Sequence, residues 1–372
     1  MIKRSREREN WKNNEVLREI SVIIPTYNEE ATISRKLENL LEQDYPKKLL
    51  EIVIIDSGST DRTVSLVEKF VQNHSEAKVL FLKESERVGK THAVNMAYSK
   101  SSGEIKIISD SDALLEKNAI RRVVNNFADS RVGAVTGRQI LMNPEHSAAT
   151  AMEEAYRRIY QVLRIGESFV DSTPIFHGEL AAYKADLIEP LPENKSADDS
   201  RLANIIRKKG FRAVYDRDAI FYEYAPPSFK ARYIQKVRRG QGLIRVFWDF
   251  KNVLFKPKYG KYGLIVMPAE FFMHCVSPFI VVALLALFIV SVLEAPLFFI
   301  RVSTALALLL LFSFVLSKTK VFRERQLPDV HNLFISFVSS QLILFAAILL
   351  CIQGKSLHKW QKVEEIRKEW QS

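Results

Sequence analysis

Asp110-Ser111-Asp112 sets two carboxylates one residue apart, directly after the apolar run Glu104–Ser109. Carboxylates that close repel, and a cation between them relieves the repulsion. A divalent ion, with its preference for oxygen ligands, is the usual choice. The chemistry on offer is a metal site that grips a diphosphate; the plainer reading is a solvated acidic turn. Other reactive groups stand in similar places. Tyr27–Glu30, Asp56–Asp61 and Arg87–Lys90 also follow apolar runs. Asp198 and Asp199 open a helical pattern, and either could take a proton from a hydroxyl; as an N-cap pair they would only start the helix. Gln235, Arg238 and Arg239 could clamp a phosphate, because arginine presents a planar fork of donors. A lipid-facing basic pair is the alternative there. Gly178 and Glu179, beside a structural-looking His177, join the same group of candidates.

These residues need elements to position them. Ile20–Pro25, Leu50–Asp56, Ala77–Leu82 and Ile105–Ser109 read as strands without polar alternation, and helical patterns stand between them. Thr60 or Asp61 is placed to cap Arg62–Gln72, and Thr91–Ser99 reads as the next helix. Apolar strands alternating with helices predict a mostly parallel sheet covered on both faces. In such sheets ligands gather at the carboxyl ends of the strands, where the polar clusters named above fall. Farther on, 132–140 reads as a strand. Ala148–Ile165 reads as a helix with Glu153, Glu154, Arg157 and Arg158 on its surface. Arg201–Lys209 reads as a helix capped by Asp198-Asp199, and Ala213–Tyr215 as a short strand.

Composition divides the chain of 372 residues. A charged arm spans 1–19 and a catalytic-sized unit 20–227. In 228–262, aromatic and aliphatic residues (Phe229, Tyr233, Val237, Trp248) alternate with Lys230, Arg232, Lys236 and Arg238, a pattern suited to a membrane interface. Apolar runs at about 264–293, 295–317 and 333–353 are each long enough for the roughly 20 residues of a spanning helix. A charged tail, 354–372, follows. Basic residues before the first run and at Lys318–Arg325 place the soluble unit on the cytoplasmic side; three full spans would leave the basic tail on the other. The first residues lack the apolar core of a signal peptide. Cys275 and Cys351 both lie in apolar runs and make no disulfide framework. The net charge of +11 suits an anionic partner, but it clusters near the spans and no nucleic-acid recognition motif accompanies it.

Six stretches in this order resemble the family-2 inverting glycosyltransferases of GT-A fold, over about residues 20–245. They are Val22–Glu30, Ile54–Asp61, Gly89-Lys90 with Asn95, Asp110–Asp112, Ala197–Asp199 and Gln235–Arg239. The resemblance is to the branch of membrane polysaccharide synthases. It implies a nucleotide-diphosphosugar-binding fold with Pro25, Tyr27, Glu29, Asp56, Lys90 and Asp110 around the donor, a UDP- or GDP-sugar. It implies Asp112, with Asp110, on a divalent cation, Mg2+ or Mn2+, and Asp199 as base with Asp198 in place of a glutamate. Gln235 and Arg238 match a Gln-x-x-Arg-Trp motif beside the diphosphate and acceptor. Arg239 replaces the tryptophan, which removes a platform tied to chain extension.

The expected activity is transfer of one or a few sugars to a hydroxyl of a lipid-linked or glycan acceptor. It would be carried out by an integral protein of the cell membrane in contact with its lipid. A polyprenyl- or dolichyl-phosphate sugar synthase is the alternative within the class. A membrane scaffold with a transferase-like domain is the alternative outside it.

Overall fold

Four runs rich in isoleucine, valine and leucine build the centre of the fold. The computed structural model describes residues 16–193, 195–295, 297–298, 300, 304, 330–355 and 364–371. Strands β1 (Ile20–Thr26), β2 (Leu50–Asp56), β3 (Lys78–Lys83) and β4 (Ile105–Ile108) pair in parallel. Side chains of β1, β2 and β4 are buried on both faces, which is why these strands lack polar alternation. Each isoleucine or leucine so buried contributes roughly 1.5–3 kcal/mol. Helices α1 (Ile33–Leu41), α2 (Thr63–Asn73) and α3 (Lys90–Lys100) cross between the strands. Asp61 accepts from the Thr63 amide (2.9 Å) and so starts α2.

The second half turns the sheet mixed. It comprises β5 (Leu114–Leu115), α4 (Ala119–Asn125), β6 (Val132–Leu141), α5 (Ala148–Val170), β7 (Ala181–Lys184), α6 (Asp198–Lys208) and β8 (Arg212–Glu223). The eight strands run β3-β2-β1-β4-β7-β6-β8-β5. Four pairings are parallel; β4–β7, β6–β7 and β5–β8 are antiparallel. Helices cover both faces over two apolar clusters.

Three local expectations change. β8 extends from Arg212 to Glu223, well past Tyr215, because a register shift against β6 lets the pairing resume after the exposed Arg217 and Asp218. α6 begins at Asp198, so both aspartates occupy its first turn and Ala197, at φ 58°, stands before it. α5 runs to Val170 from a capping box at Ser147 and Thr150. Its Glu154 and Arg158 lie on the surface, but Glu153 and Arg157 are buried.

Helix α7 (Phe229–Asp249) follows the domain and faces two ways. Phe229, Tyr233 and Trp248 are exposed, whereas Arg232, Val237, Val246 and Phe247 are buried. Helix α8 (Tyr262–Glu294) contains two wide turns, at Tyr262–Val266 and Phe272–Val276, then an apolar stretch largely exposed in the isolated chain. Helix α9 (Val330–Ile352) lies against the domain: Leu344 and Ala347 meet Gly240, and the Ser336 hydroxyl donates to the Met152 carbonyl. By length and composition, α8 and Phe334–Ile352 of α9 are two helices able to cross a membrane. The run 295–317, the Lys318–Arg325 loop and the arm up to residue 15 lie outside the described residues, apart from 295, 297–298, 300 and 304. A last helix, α10 (Glu364–Gln371), ends the chain.

Candidate active site

The carboxyl ends of β1 and β4 open into a cavity of about 1130 Å³. The turns after β1 and β2 form one lip and hold each other. Asn28, in left-handed backbone at φ 52°, donates its amide to Ser59 Oγ (2.7 Å) and accepts the Thr60 amide on its side-chain oxygen (2.7 Å). The Glu29 amide donates to Thr63 Oγ1 (2.6 Å). Asp56 accepts from the Ser59 amide (2.9 Å) and from the Thr26 hydroxyl (3.2 Å). Its carboxylate therefore shapes the turn, and Asp56 does not line the cavity, although its neighbour Ser57 does. Pro25, Tyr27 and Glu29 line it, with the Arg87 guanidinium 4.0 Å over the Tyr27 ring.

Asp110 and Asp112 project from the loop after β4. Beneath them lies Lys36 of α1, a residue the sequence pattern did not single out. Its ammonium is fully buried and donates to Ser109 Oγ and the Ala113 carbonyl, both at 2.6 Å. Burial pulls it down to about 7, against the upward pull of Asp110 and Asp112. Ser109 in turn donates to the Glu179 carbonyl (2.7 Å), so one clamp fixes the aspartate loop and the Phe176–Leu180 segment. Lys90, at the start of α3, pairs with Asp110 at 2.6 Å. Burial lowers the Lys90 ammonium, but Asp110 and Asp198 outweigh it and leave it firmly charged. Asp112 is pushed up to about 7 by burial first, then by Glu29, Asp110 and Glu179.

Across the cavity stands the first turn of α6. The Asp199 Oδ1 accepts the Ser200 amide (2.7 Å), and Ser200 Oγ receives the Phe176 amide (3.0 Å). Burial and then Asp198 raise the Asp199 carboxyl to about 7, despite the favourable helix N-terminus. Gly178 marks where the groups converge. A Cβ there would lie 3.4 Å from Lys90 Nζ, 3.6 Å from Asp110 Oδ2 and 3.7 Å from Asp199 Oδ2. Any larger side chain would fill the space among them.

Helix α7 supplies the cations. Gln235, Arg238 and Arg239 all line the cavity. Arg239 pairs with Glu179 at 2.9 Å. Arg238 makes no ion pair among the described residues; burial, then Arg239, lowers its guanidinium to about 10. Deeper, Glu153 gathers three cations: Arg157 at 3.1 Å, Arg232 at 3.0 Å and Lys236 at 3.0 Å. Arg157 also reaches Glu223 (2.7 Å). His177 is held neutral, lowered to about 3 chiefly by burial. Every sequence-predicted site residue except Asp56 thus meets in one cavity. The Glu153 network and Lys36 escaped notice because charged residues on helical patterns read as solvated faces.

Chemically, the cavity offers oxygen ligands at Asp110 and Asp112, a guanidinium without an ion-pair partner among the described residues at Arg238, and a carboxyl raised to about 7 at Asp199. The sequence profile described as "Glycosyl transferase family 2" matches residues 21–191, and that of "Glycosyl transferase family group 2" matches 107–317, more than half the chain. The chain belongs to the family-2 glycosyltransferases. It is 27% identical over 258 residues to the "Probable glycosyltransferase YdaM" of Bacillus subtilis (strain 168), covering 67% of this chain and 61% of that one. It is 25% identical over 255 residues to the "Poly-beta-1,6-N-acetyl-D-glucosamine synthase" of Staphylococcus aureus (strain COL), covering 66% and 61%. The matched region thus spans about three fifths of each of these relatives. Among solved structures, the mannosyltransferase PcManGT from Pyrobaculum calidifontis, in complex with GDP-Man and Mn2+, superposes with a TM-score of 0.73. It shares 29% identity over 95% of each chain. A family-2 glycosyltransferase of GT-A fold accounts for the sheet and these likenesses together.

Proposed function

We propose that this family-2 glycosyltransferase is membrane-bound and inverting. It moves one sugar, or a few, from a nucleotide-diphosphosugar to a hydroxyl of a lipid-linked or glycan acceptor. The observation that carries this reading is the division of charge inside one cavity. Asp110 and Asp112 face Arg238, a cation without an ion-pair partner among the described residues, and Asp199 meets Lys90 and Asp110 at Gly178. Such a division suits a donor whose diphosphate must be held and then released.

Pro25, Tyr27 and Glu29 line the nucleoside end, and Asp56 acts there by shaping the turn. Asp199, as carboxylate, takes the acceptor hydroxyl proton while that oxygen attacks the anomeric carbon from the side opposite the diphosphate. The bond from that carbon to the phosphate oxygen breaks, and the diphosphate leaves with the electron pair. Arg238 and Gln235 receive its charge. Lys90 holds Asp110 in place, and Asp198 keeps the Asp199 carboxyl near neutrality.

The residues fit a divalent cation. Asp112 has negative neighbours in Glu29, Asp110 and Glu179. Among the described residues no cluster of three or more ligating groups forms a closed cage. Asp110 and Asp112 would hold such an ion through their carboxylate oxygens. When bound, such an ion supplies positive charge to the departing diphosphate. The Mn2+ and GDP-Man held by the similar mannosyltransferase support this choice of cofactor and donor class.

Arg239 is tied to Glu179 rather than offering an aromatic platform, which favours short additions over a polymer. The exposed Phe229, Tyr233 and Trp248 of α7 and the apolar α8 favour a domain seated on a bilayer. The basic residues flanking the spans favour its cytoplasmic face. The test is a panel of radiolabelled UDP- and GDP-sugars incubated with membranes containing the protein. One donor should label a lipid or glycan in a divalent-ion-dependent way, with the new linkage inverted. No labelled product from any donor would overturn the reading.

A further inference from the structure

The short helix α10 lies across the mouth of the cavity. Arg367 donates to the Asn28 carbonyl and sits 3.3 Å from the Glu29 carboxylate. Trp370 is buried, with the Arg35 guanidinium 5.3 Å over its ring and Tyr224 edge-on at 5.2 Å. Glu369 lies 3.3 Å from His146. Asn28, Glu29 and Arg35 belong to the β1–α1 lip; Tyr224 and His146 follow β8 and β6 on the opposite side. One helix of eight residues therefore bridges both lips. Ile366, Arg367 and Trp370 are part of the cavity wall.

The docked helix does not fill the site. With it in place the cavity still measures about 1130 Å³, against roughly 300–1000 Å³ for typical small-molecule sites. It is a wall, not a plug. So short a helix is marginal in water by itself, so its helicity depends on the two lips it touches.

We propose that α10 completes the donor pocket in cis, with Arg367 as a positioning residue. Arg367 fixes Glu29 and the Asn28 carbonyl, and Trp370 anchors the helix so that it closes the pocket against a nucleoside diphosphate. This rests on the donor reading above. Helix docking and nucleotide binding then strengthen each other, because coupling between sites is reciprocal.

The experiment is calorimetric titration of the full chain in detergent with GDP and with UDP, each with Mn2+. Variants are Arg367→Ala, Arg367→Lys, Trp370→Ala and a chain ending at Lys355. The wild type should bind one nucleotide. Arg367→Ala, Trp370→Ala and the shortened chain should weaken that binding about tenfold and raise the donor KM in step, with kcat within about twofold. Arg367→Lys should recover part of the loss. Nucleotide should also slow amide exchange in 364–371 of the wild type. Equal binding by all variants would remove α10 from the pocket. Tighter binding, or faster turnover, by the shortened chain would make it a plug and overturn the proposal. A wild type that binds neither nucleotide would overturn the donor reading first and this inference with it.

Discussion

The two walls of the cavity are built on different principles. The β1–β4 wall is made from two hydrogen-bonded turns that hold themselves and each other: Asn28 to Ser59 and Thr60, Asp56 to Ser59, Asp61 to Thr63. The wall of α5, β8 and α7 is made from charges far apart in sequence: Glu153 with Arg232 and Lys236, Arg157 with Glu223, Glu179 with Arg239. The first wall depends on turn geometry and loses little when one bond goes. The second depends on charge balance in a buried place, where one lost partner leaves others uncompensated.

Substitutions can sharpen or break that contrast. The largest effect is expected at the aspartate loop that both walls face. Asp112→Ala should cut transfer by at least about 10²–10³-fold, the scale of losing a group that stabilises transition-state charge. Radiochemical assay checks it; turnover within a few-fold of wild type would remove Asp112 from the chemistry. Glu153→Ala should be costly to the fold itself, by about 3–5 kcal/mol, because three cations lose their shared carboxylate. Thermal unfolding in detergent reads it, and an unchanged melting temperature would show that the second wall is not charge-balanced as described. Lys36→Met should cost about 1–3 kcal/mol by leaving the Ala113 carbonyl and Ser109 hydroxyl without their buried donor. The smallest effect is expected on the first wall. Asn28→Ala should cost about 1–2 kcal/mol, from the left-handed backbone and the lost Thr60 bond. A loss at Asn28 larger than at Glu153 would invert the comparison.

The same contrast explains what the sequence disclosed. The first wall is built from two turns, each with its own short run of turn residues, so its motifs could be read from adjacent residues, and the uninterrupted apolar strands announced the parallel half of the sheet. Asp56 stands at a strand end as expected, and its oxygens accept from Ser59 and Thr26, a role its position alone did not disclose. The second wall is non-local. Glu153 and Arg157 fall on a helical pattern beside Glu154 and Arg158, and only tertiary structure decides which pair is buried. Lys36 hides for the same reason. β8 looked short because its burial pattern breaks at Arg217 and Asp218, where the register slips. Helix α10 gave no signal, since eight mostly charged residues acquire meaning only against Asn28 and Tyr224.

The central claim is that Asp199 takes the acceptor proton in a cavity that binds the donor by other groups. Its carboxyl is raised to about 7, so the active carboxylate form gains population as pH rises through 7. The rate of transfer per bound donor should climb between about pH 6 and pH 8 and then level off. The most direct measurement pairs that profile with Asp199→Asn, recording transfer by radiolabel and nucleotide binding by calorimetry on the same preparation. The account predicts that the variant binds nucleotide as the wild type does, transfers at least about 10²-fold more slowly, and loses the rise through pH 7. Transfer by Asp199→Asn at the wild-type rate, with the rise intact, would contradict it.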